Sequence, residues 1–369
     1  MILVLLALAA APTAAFAETA PATIALNKGG LAIAEIDDGK TALRVSGDRD
    51  EEKGLPLQAD TVMYAASLTK FTFAYMVMQL VDEGLVDLDT PIDRYMKKPL
   101  PEYEKYADLA GDERWRKLTF RILLSHTTGF ANFRFVEPDE KLRFHWDPGT
   151  RYGYSGEGIN LAQFVLEEGL GLDVGKEMQR RVFDRLGMTR TSTTWRADFA
   201  ENVAQGYTTD GTMVPHRKRG STRAAGSMDT TIEDYSRFVT GFMRGEGLSA
   251  KARAEMLKPQ IAITSRSQFP TLSDDKAPAD KAHLKLSAGL GVVVYDGPKG
   301  RIFLKGGHDD GTDNMLICDD AAKRCFLGLS NTNEAQAWYV RLANRYLGLK
   351  ETQTPWWWEY SASSKGFGS

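Results

Sequence analysis

The sequence predicts an α+β fold in which the two ends of the chain build one antiparallel sheet around a mainly helical middle region. Short β-rich segments, broken by Gly, Pro and Asp, lie near the amino terminus and again after residue 285. Helical patterns fill most of the sequence between them. We therefore expect the sheet at residues 28–66 and 286–348, the helical region at residues 67–285, and a catalytic site where the two meet.

The strands are predicted from their turns and their β-rich composition. Near the amino terminus, "LAIAEI" and "TALRVS" are separated by "DDGK", whose Asp-Gly pair favours a tight hairpin turn. Toward the other end, "GLGVVVY", "RIFLKGG", "NMLIC" and "CFLGLS" have the same character, and the helical pattern "EAQAWYVRLANRYLGL" follows them.

The helices are predicted from apolar periodicity. The segment "MYAASLTKFTFAYMVMQLVDEG" is apolar all round, which indicates a helix buried inside the protein. "INLAQFVLEEGLG", "KEMQRRVFDRLGM" and "TTIEDYSRFVTGFMRGEG" are amphipathic. In the last of these, Thr230 and Glu233 have the spacing of a capping box. Residues 264–285 are polar and read as a long surface loop that, with loop 131–147, supplies pocket walls.

The composition is that of an ordinary soluble globular protein. The chain has 369 residues, 43% of them hydrophobic, and a formal net charge of −3. No long basic run occurs, which argues against nucleic acid as a partner. The histidines are scattered without HxxxH spacing or a Cys/His cluster, so we predict no metal site and no cofactor. His126, in "LLSHTTG", is interpreted as a structural histidine near a helix end.

The amino terminus resembles a secretory signal. Residues 1–17 are uncharged and mostly apolar, and they end in the small-x-small pattern Ala15-Phe16-Ala17. We expect cleavage after Ala17 and a periplasmic or secreted mature protein starting near Glu18. The segment lacks the usual initial Lys or Arg, so an uncleaved anchor is the alternative. The mature domain is then expected at residues 18–348, with a tail at residues 349–369.

Two further features near the carboxyl terminus are left with two interpretations each. Cys318 and Cys325 flank a predicted hairpin turn, and they form either a disulfide or two small buried apolar side chains. Trp356–Trp358, in "TPWWWEY", either pack back on the body or expose an aromatic surface. Packing is favoured for the tryptophans, and the alternative is membrane or cell-wall association through them or through the amino terminus. The sequence predicts no oligomeric state.

The start of the apolar helix carries a Ser-x-x-Lys pair. Ser67 and Lys70 are three residues apart, so on a helix the hydroxyl and the amine share a face. The same spacing recurs at Ser273 and Lys276 in the polar loop, where both side chains should be solvated. At Lys70 the neighbouring aromatic residues should exclude water, lower the pKa of the amine and help it to activate the serine.

Two later segments complete a pattern. "DPGTRYGYSGEGINLAQF" holds Tyr154-Ser155-Gly156, and "RIFLKGGHDDGTDNMLI" holds Lys305-Gly306-Gly307 at the expected end of a strand. With "LLSHTTGF" and "AAGSMDTTIEDYSRFV", these segments follow the order found in penicillin-recognising serine enzymes. Over residues 28–348 the chain resembles the family of class C β-lactamases, D-alanyl-D-alanine carboxypeptidases and related esterases. The resemblance implies the β-lactamase/transpeptidase-like fold.

The resemblance also implies roles for particular residues. Ser67 would be the acylated nucleophile with Lys70 as its partner. Tyr154 would be the general base, its phenolate favoured by the ammonium groups of Lys70 and Lys305.

The resemblance further implies how substrate would be held. Lys305 would attract a substrate carboxylate. The backbone N–H groups of Ser67 and of His308, which follows Gly307, would stabilise the oxyanion.

Two positions depart from the family pattern. Gly156 stands where Asn usually binds the acyl-side amide of the substrate, and Gly306 stands where Thr or Ser is common. Both changes remove hydrogen-bonding groups that hold peptide-like and β-lactam substrates. The departures weaken a β-lactamase or D,D-peptidase assignment and favour an ester or another small acyl substrate.

The sequence therefore predicts an exported serine hydrolase that cleaves an ester or amide through an acyl-enzyme on Ser67. The candidate substrates are a β-lactam, a D-Ala peptide or a small ester. The alternative is a penicillin-binding-like protein on the same fold with little or no turnover. A Gly-x-Ser-x-Gly elbow at Gly153–Glu157 is rejected, because Glu157 occupies the last glycine position and the sheet is expected to be antiparallel.

Overall fold

The computed structural model describes Ile24 and residues 26–360, so the predicted signal peptide at residues 1–17 lies outside the described residues. Within that part, the strands in chain order are β1 (Gly30–Asp37), β2 (Lys40–Asp50), β3 (Leu55–Pro56), β4 (Met63–Tyr64), β5 (Gly206–Tyr207), β6 (Met213–Val214), β7 (Asp229–Thr230), β8 (Ile261–Ala262), β9 (Ser287–Ala288), β10 (Val293–Gly297), β11 (Gly300–Asp309), β12 (Thr312–Asp319) and β13 (Arg324–Ser330). The α-helices are α1 (Leu68–Asp82), α2 (Phe120–Leu124), α3 (Gly156–Phe164), α4 (Val174–Met178), α5 (Ile232–Arg244), α6 (Ala250–Leu257), α7 (Gln336–Leu347) and α8 (Trp356–Glu359).

The two chain ends meet in one antiparallel sheet, which confirms the predicted α+β class. Its strand order is β3-β2-β1-β13-β12-β11-β10-β9-β8, and the β1–β13 pair joins the amino-terminal strands to the carboxyl-terminal ones. Four two-residue strands, β5 to β8, lie within residues 67–285, the region that was expected to be mainly helical. Asp38 and Gly39 form the first hairpin turn, both with positive φ, as the Asp-Gly pair indicated.

The sheet is covered on both faces. Along β1, Ala32 and Ala34 belong to a core shared with α1 and α5, while Leu31 and Ile33 belong to a second core shared with α7 and α8. This alternation follows from the two-residue repeat of a strand. The helical region therefore packs on one face, and the carboxyl-terminal segment packs on the other.

Helix α1 runs through the larger core. Every residue from Leu68 to Leu80 is buried, as the all-round apolar pattern predicted. The ring of Phe71 makes edge contacts with Phe238, Phe242 and Phe303 at centroid distances of 4.9–6.0 Å. These contacts fix the helix between α5 and β11, with Ser67 at its amino-terminal cap position.

Helix α5 begins one residue later than its capping pattern predicted. The Thr231 side chain accepts a hydrogen bond from the Asp234 N–H at 3.1 Å. Thr230 is instead paired with Met63 between β7 and β4. The strand therefore takes the first threonine, and the second one caps the helix.

The carboxyl-terminal tail packs on the body. Trp356 and Trp358 are buried, and the indole N–H of Trp358 donates to Ser265 Oγ at 3.2 Å. These two tryptophans therefore pack on the body, and a hydrogen bond joins the tail to loop 264–285. Membrane or cell-wall association stays a prediction. In the part of the chain that the structure covers, every helix is too short or too polar to cross a membrane.

The two cysteines lie opposite each other in the β12–β13 hairpin. Cys318 and Cys325 are register partners, both are fully buried, and they are joined by a disulfide. The cross-link ties together the strand that neighbours β11 and the strand that pairs with β1.

We expect Phe71→Ala to lower the free energy of unfolding by about 3–5 kcal/mol, because it leaves a cavity among three aromatic rings. Urea denaturation measures the loss. Leu85→Ala is the control, since Leu85 is 49% exposed and its truncation should cost less than about 0.5 kcal/mol. Similar losses in the two variants would contradict the packing described for α1.

Candidate active site

The site begins in the turn that precedes α1. Ala66 has a φ of +45°, an uncommon conformation for a residue other than glycine. The Thr69 hydroxyl donates to the Ala66 carbonyl at 2.6 Å and holds the turn in place. Ser67 follows at the cap position and lines a cavity of about 470 Å³ between the sheet and the helical region.

Lys70 lies three residues after Ser67 on α1, and its side chain contacts the serine hydroxyl. Its side chain is buried, and its Nζ donates to Ser67 Oγ at 2.9 Å and to the Ala225 carbonyl at 2.5 Å. Burial holds the pKa of the amine well below its usual value of 10.5, and the charges of Lys305 and Arg223 lower it further. A neutral amine placed in this way can accept the Ser67 proton.

Tyr154 lies next to Ser67 and Lys305. Its hydroxyl is hydrogen-bonded to Ser67 and lies 3.4 Å from Lys305 Nζ. Burial raises the pKa of the phenol above its usual value of 10, and the hydrogen bond from Ser67 only partly opposes this. This direction runs against the favoured phenolate of the sequence analysis, and the role of Tyr154 as general base stays a prediction.

His126 holds the tyrosine segment. Its ring lies 4.5 Å from that of Tyr154, between centroids, and its Nδ1 accepts the Ser155 N–H at 3.2 Å. Burial lowers the pKa of His126 well below 6.5, and Lys70 and Lys305 add to the effect. The neutral ring is a packing and hydrogen-bonding partner of the tyrosine segment, which agrees with the structural role predicted for it.

Ser155 is a helix cap. Its Oγ accepts the Gly158 N–H at 3.1 Å and donates to the Ala131 carbonyl at 2.9 Å, and the residue is fully buried. These contacts occupy the hydroxyl in starting α3. A nucleophile elbow at this serine is therefore excluded, as the sequence argument concluded.

Lys305 reaches the site from within β11, which continues to Asp309 instead of ending after Gly307 as predicted. Its Nζ donates to the Gly306 carbonyl at 2.7 Å, and the side chain is buried. Burial lowers the pKa of Lys305 to about 8, against an opposing effect of the Glu359 carboxylate. The amine that was expected to attract a substrate carboxylate is thus enclosed by groups of the protein itself.

Gly307 permits the contact between β11 and the turn before α1. A Cβ atom at this position would lie 2.6 Å from the Ala65 carbonyl oxygen and 3.1 Å from the Leu68 nitrogen. Only glycine allows the strand to approach so closely. Ser67 and His308, on either side of this contact, both line the cavity. An oxyanion site formed by their backbone N–H groups stays a prediction.

At Gly156, another segment of the chain fills the space that a side chain would occupy. A Cβ atom here would lie 2.3 Å from the ring of Phe133. Phe133, Phe135 and Phe269 all line the cavity, so loops 131–147 and 264–285 do supply its walls. No motif in the sequence identifies these aromatic residues individually.

His308 takes part in a charged cluster that the sequence did not reveal. Its Nδ1 lies 2.6 Å from Asp313 Oδ1, and its Nε2 lies 2.9 Å from Glu359 Oε1. Burial alone would lower the pKa of the imidazole, but the two carboxylates outweigh it and raise the pKa to about 9. Glu359 belongs to the tail, and no local pattern places it here.

Across the described residues, no group of three His, Cys, Asp or Glu side chains is arranged to hold a metal ion.

We expect Lys70→Met to abolish activity yet to match or exceed the wild-type free energy of unfolding at about pH 7. The pKa of Lys70 is lower in the folded than in the unfolded chain, so the unfolded chain binds the proton more strongly and is favoured. That penalty shrinks as the pH rises toward 10.5, the usual lysine value. The advantage of methionine should therefore shrink from about pH 7 to about pH 10 in urea unfolding experiments.

The control for this prediction is Lys251→Met, which changes an exposed lysine in α6. Its stability difference from the wild type should not vary with pH in the same way. A Lys70→Met variant that is destabilised by the same amount at every pH would contradict the buried neutral amine.

Comparison with known proteins agrees with this geometry. The family model described as Beta-lactamase matches residues 19–348. Monacolin J acid methylbutanoyltransferase of Aspergillus terreus is 33% identical over 169 residues, which are 38% of this chain and 40% of the relative. Lovastatin esterase of Penicillium rubens is 29% identical over 164 residues, which are 36% and 40% of the two chains. The chain thus spans about two-fifths of the length of these curated relatives.

A solved structure shows the same fold. The beta-lactamase/D-alanine carboxypeptidase of Pseudomonas syringae superposes with a TM-score of 0.70 at 20% identity, over 88% of this chain and 95% of that chain. Together with the family match over most of the sequence, this establishes that the chain belongs to the beta-lactamase family.

Proposed function

We propose that the chain is a serine hydrolase that cleaves a small ester through an acyl-enzyme on Ser67. One observation carries the proposal: Lys70 Nζ lies 2.9 Å from Ser67 Oγ, in a buried setting that lowers the pKa of the amine. A serine hydroxyl is a weak nucleophile until a neighbouring base accepts its proton. The hydrogen bond between Tyr154 and Ser67 supports the same role for the group.

Acylation follows from these contacts. The neutral amine of Lys70 accepts the hydroxyl proton of Ser67 while Oγ attacks the ester carbonyl carbon. The N–H groups of Ser67 and His308 stabilise the negative oxygen of the tetrahedral intermediate. When the C–O bond to the alcohol breaks, the leaving alkoxide takes a proton from the Tyr154 hydroxyl. Lys70 returns its proton to Tyr154, and the products of this half-reaction are an alcohol and acyl-Ser67.

Deacylation repeats the proton transfers with water as the nucleophile. Lys70, again neutral, accepts a proton from water as the water oxygen attacks the acyl carbon. The bond to Ser67 Oγ then breaks, and the proton returns to the serine as the acid departs. An alcohol in place of water would give acyl transfer by the same steps, so both types of reaction are accessible to this geometry.

One part of the cavity wall supports an apolar acyl group. Phe133, Phe135 and Phe269 line it, and the Phe133 ring fills the space beside Gly156. This aromatic part of the wall favours aliphatic acyl chains, while other lining residues, among them Asn132, Asn160 and Gln268, are polar. The names of the two curated relatives, a methylbutanoyltransferase and an esterase, support a small ester as the substrate class.

We expect mass spectrometry after incubation with a fluorophosphonate to find one adduct, on Ser67, and a chromogenic short-chain ester to be hydrolysed. Ser67→Ala should lose both. Ser273→Ala is the matched control, because it removes the serine of the second Ser-x-x-Lys pair, outside the cavity. It should retain wild-type labelling and turnover. Labelling on Ser155 would contradict the assignment, and a wild type with neither turnover nor an adduct would exclude the enzyme.

A parallel incubation with a penicillin separates the two sequence-based alternatives. An ester hydrolase with this aromatic wall beside Gly156 should give the fluorophosphonate adduct and no lasting penicillin adduct. Accumulation of a penicillin adduct on Ser67, without ester turnover, would instead support a penicillin-binding protein with little turnover.

We also propose that the protein is exported to the periplasm or beyond. The apolar segment ending in Ala15-Phe16-Ala17 supports this, and so does the Cys318–Cys325 disulfide, since such bonds persist mainly in oxidising compartments. Expression in a Gram-negative host should yield a periplasmic protein whose intact mass corresponds to a chain that starts near Glu18. A reduced, full-length protein found only in the cytoplasm would contradict export.

A further inference from the structure

A carboxylate from the tail occupies the side-chain space of Gly306. A Cβ atom at Gly306 would lie 2.0 Å from Glu359 Oε1 and 2.4 Å from His308 Nε2. Gly306 is the middle residue of the Lys305-Gly306-Gly307 segment and lines the cavity that holds Ser67. Any other residue at this position would have to displace the glutamate.

The position of Glu359 is fixed by the packing of α8. Its side chain is 1% exposed and hydrogen-bonded to His308. Next to it, the carbonyl of Trp358 accepts the Gln268 N–H at 3.2 Å, and the indole N–H binds Ser265. The tail therefore holds the carboxylate in place instead of leaving it to sample the solvent.

The carboxylate also faces the cations of this strand. Its charge acts on Lys305, whose Nζ is already hydrogen-bonded to the Gly306 carbonyl. His308 lies between Glu359 and Asp313 and has a carboxylate at each ring nitrogen. The positive charges of Lys305 and His308 are thus balanced by carboxylates of the protein itself. A further carboxylate brought by a substrate would be repelled.

We propose that Glu359 determines substrate charge: its carboxylate, seated in the side-chain space of Gly306, makes the site select acyl groups that are uncharged and reject those that carry a carboxylate. The inference rests on the proposed acyl-enzyme function and names its substrate class. Apart from Lys70 and His308, the other charged residues that line the cavity are Glu157, which is paired with Arg134, and Arg217, Arg223, Asp309 and Asp310, which are at least partly exposed. Solvent and salt screen these last four residues, whereas Glu359 acts from a buried position.

Two matched substrates test the proposal: p-nitrophenyl hydrogen glutarate, whose acyl chain ends in a carboxylate, and its uncharged methyl ester. The wild type should prefer the methyl ester by about tenfold or more in kcat/KM. Glu359→Gln keeps the shape and an oxygen acceptor for His308 but removes the charge. This variant should raise kcat/KM for the hydrogen glutarate by about tenfold, and it should change kcat/KM for the methyl ester by less than about threefold.

Glu351→Gln is the matched control. It removes the same charge from the same tail, but at an exposed residue outside the cavity. It should leave the ratio of the two kcat/KM values unchanged. A Glu359→Gln variant that slows both substrates equally would indicate a purely structural role and overturn the proposal.

The two levels of hypothesis fail in different ways. Absence of a fluorophosphonate adduct on Ser67 in the wild type would remove the proposed function itself. A labelled, active wild type that hydrolyses the hydrogen glutarate as well as the methyl ester would overturn only the role of Glu359. A wild-type ratio near one overturns that role even if Glu359→Gln does not fold.

Discussion

The rest of the site depends on the burial of the Lys70 amine. An ammonium group is costly to bury, so the enclosure favours the neutral form and leaves a proton acceptor next to a serine. The enclosure is made by α1, which is buried all round, and by β11, which closes against the turn before α1 because Gly307 has no side chain. The contact between β11 and the start of α1 is therefore part of the fold and also encloses the amine of Lys70.

Much of this arrangement could be predicted from the sequence, because it depends on local periodicity. Strand and helix patterns gave the α+β class, and the i,i+3 spacing placed Ser67 beside Lys70 on one face of α1. The order of the segments also led to Tyr154 and Lys305, which the structure brings together. The exact limits were less predictable. Pairing with β4 moved the cap of α5 by one residue, and β11 ran past the expected turn.

The pKa shifts in the site could be predicted only in part, because they depend on burial in three dimensions. In the sequence, two lysines suggested that Tyr154 would lose its proton. In the structure the same enclosure raises the pKa of Tyr154 and lowers those of Lys70 and Lys305. The direction for Lys70, which the sequence analysis based on exclusion of water, agrees with the structure, whereas the direction for Tyr154, based on neighbouring charges, is opposed by burial.

Gly156 and Gly306 show how a missing side chain can change a site without leaving it empty. In the sequence both read as lost hydrogen-bonding groups. In the structure the ring of Phe133 lies where a side chain of Gly156 would be, and the carboxylate of Glu359 lies where one of Gly306 would be. Both replacements come from segments that no local pattern connects to the motifs. In the proposed function the residues around Ser67 carry the reaction, and the two replacements, which come from a loop and from the tail, act on the choice of substrate.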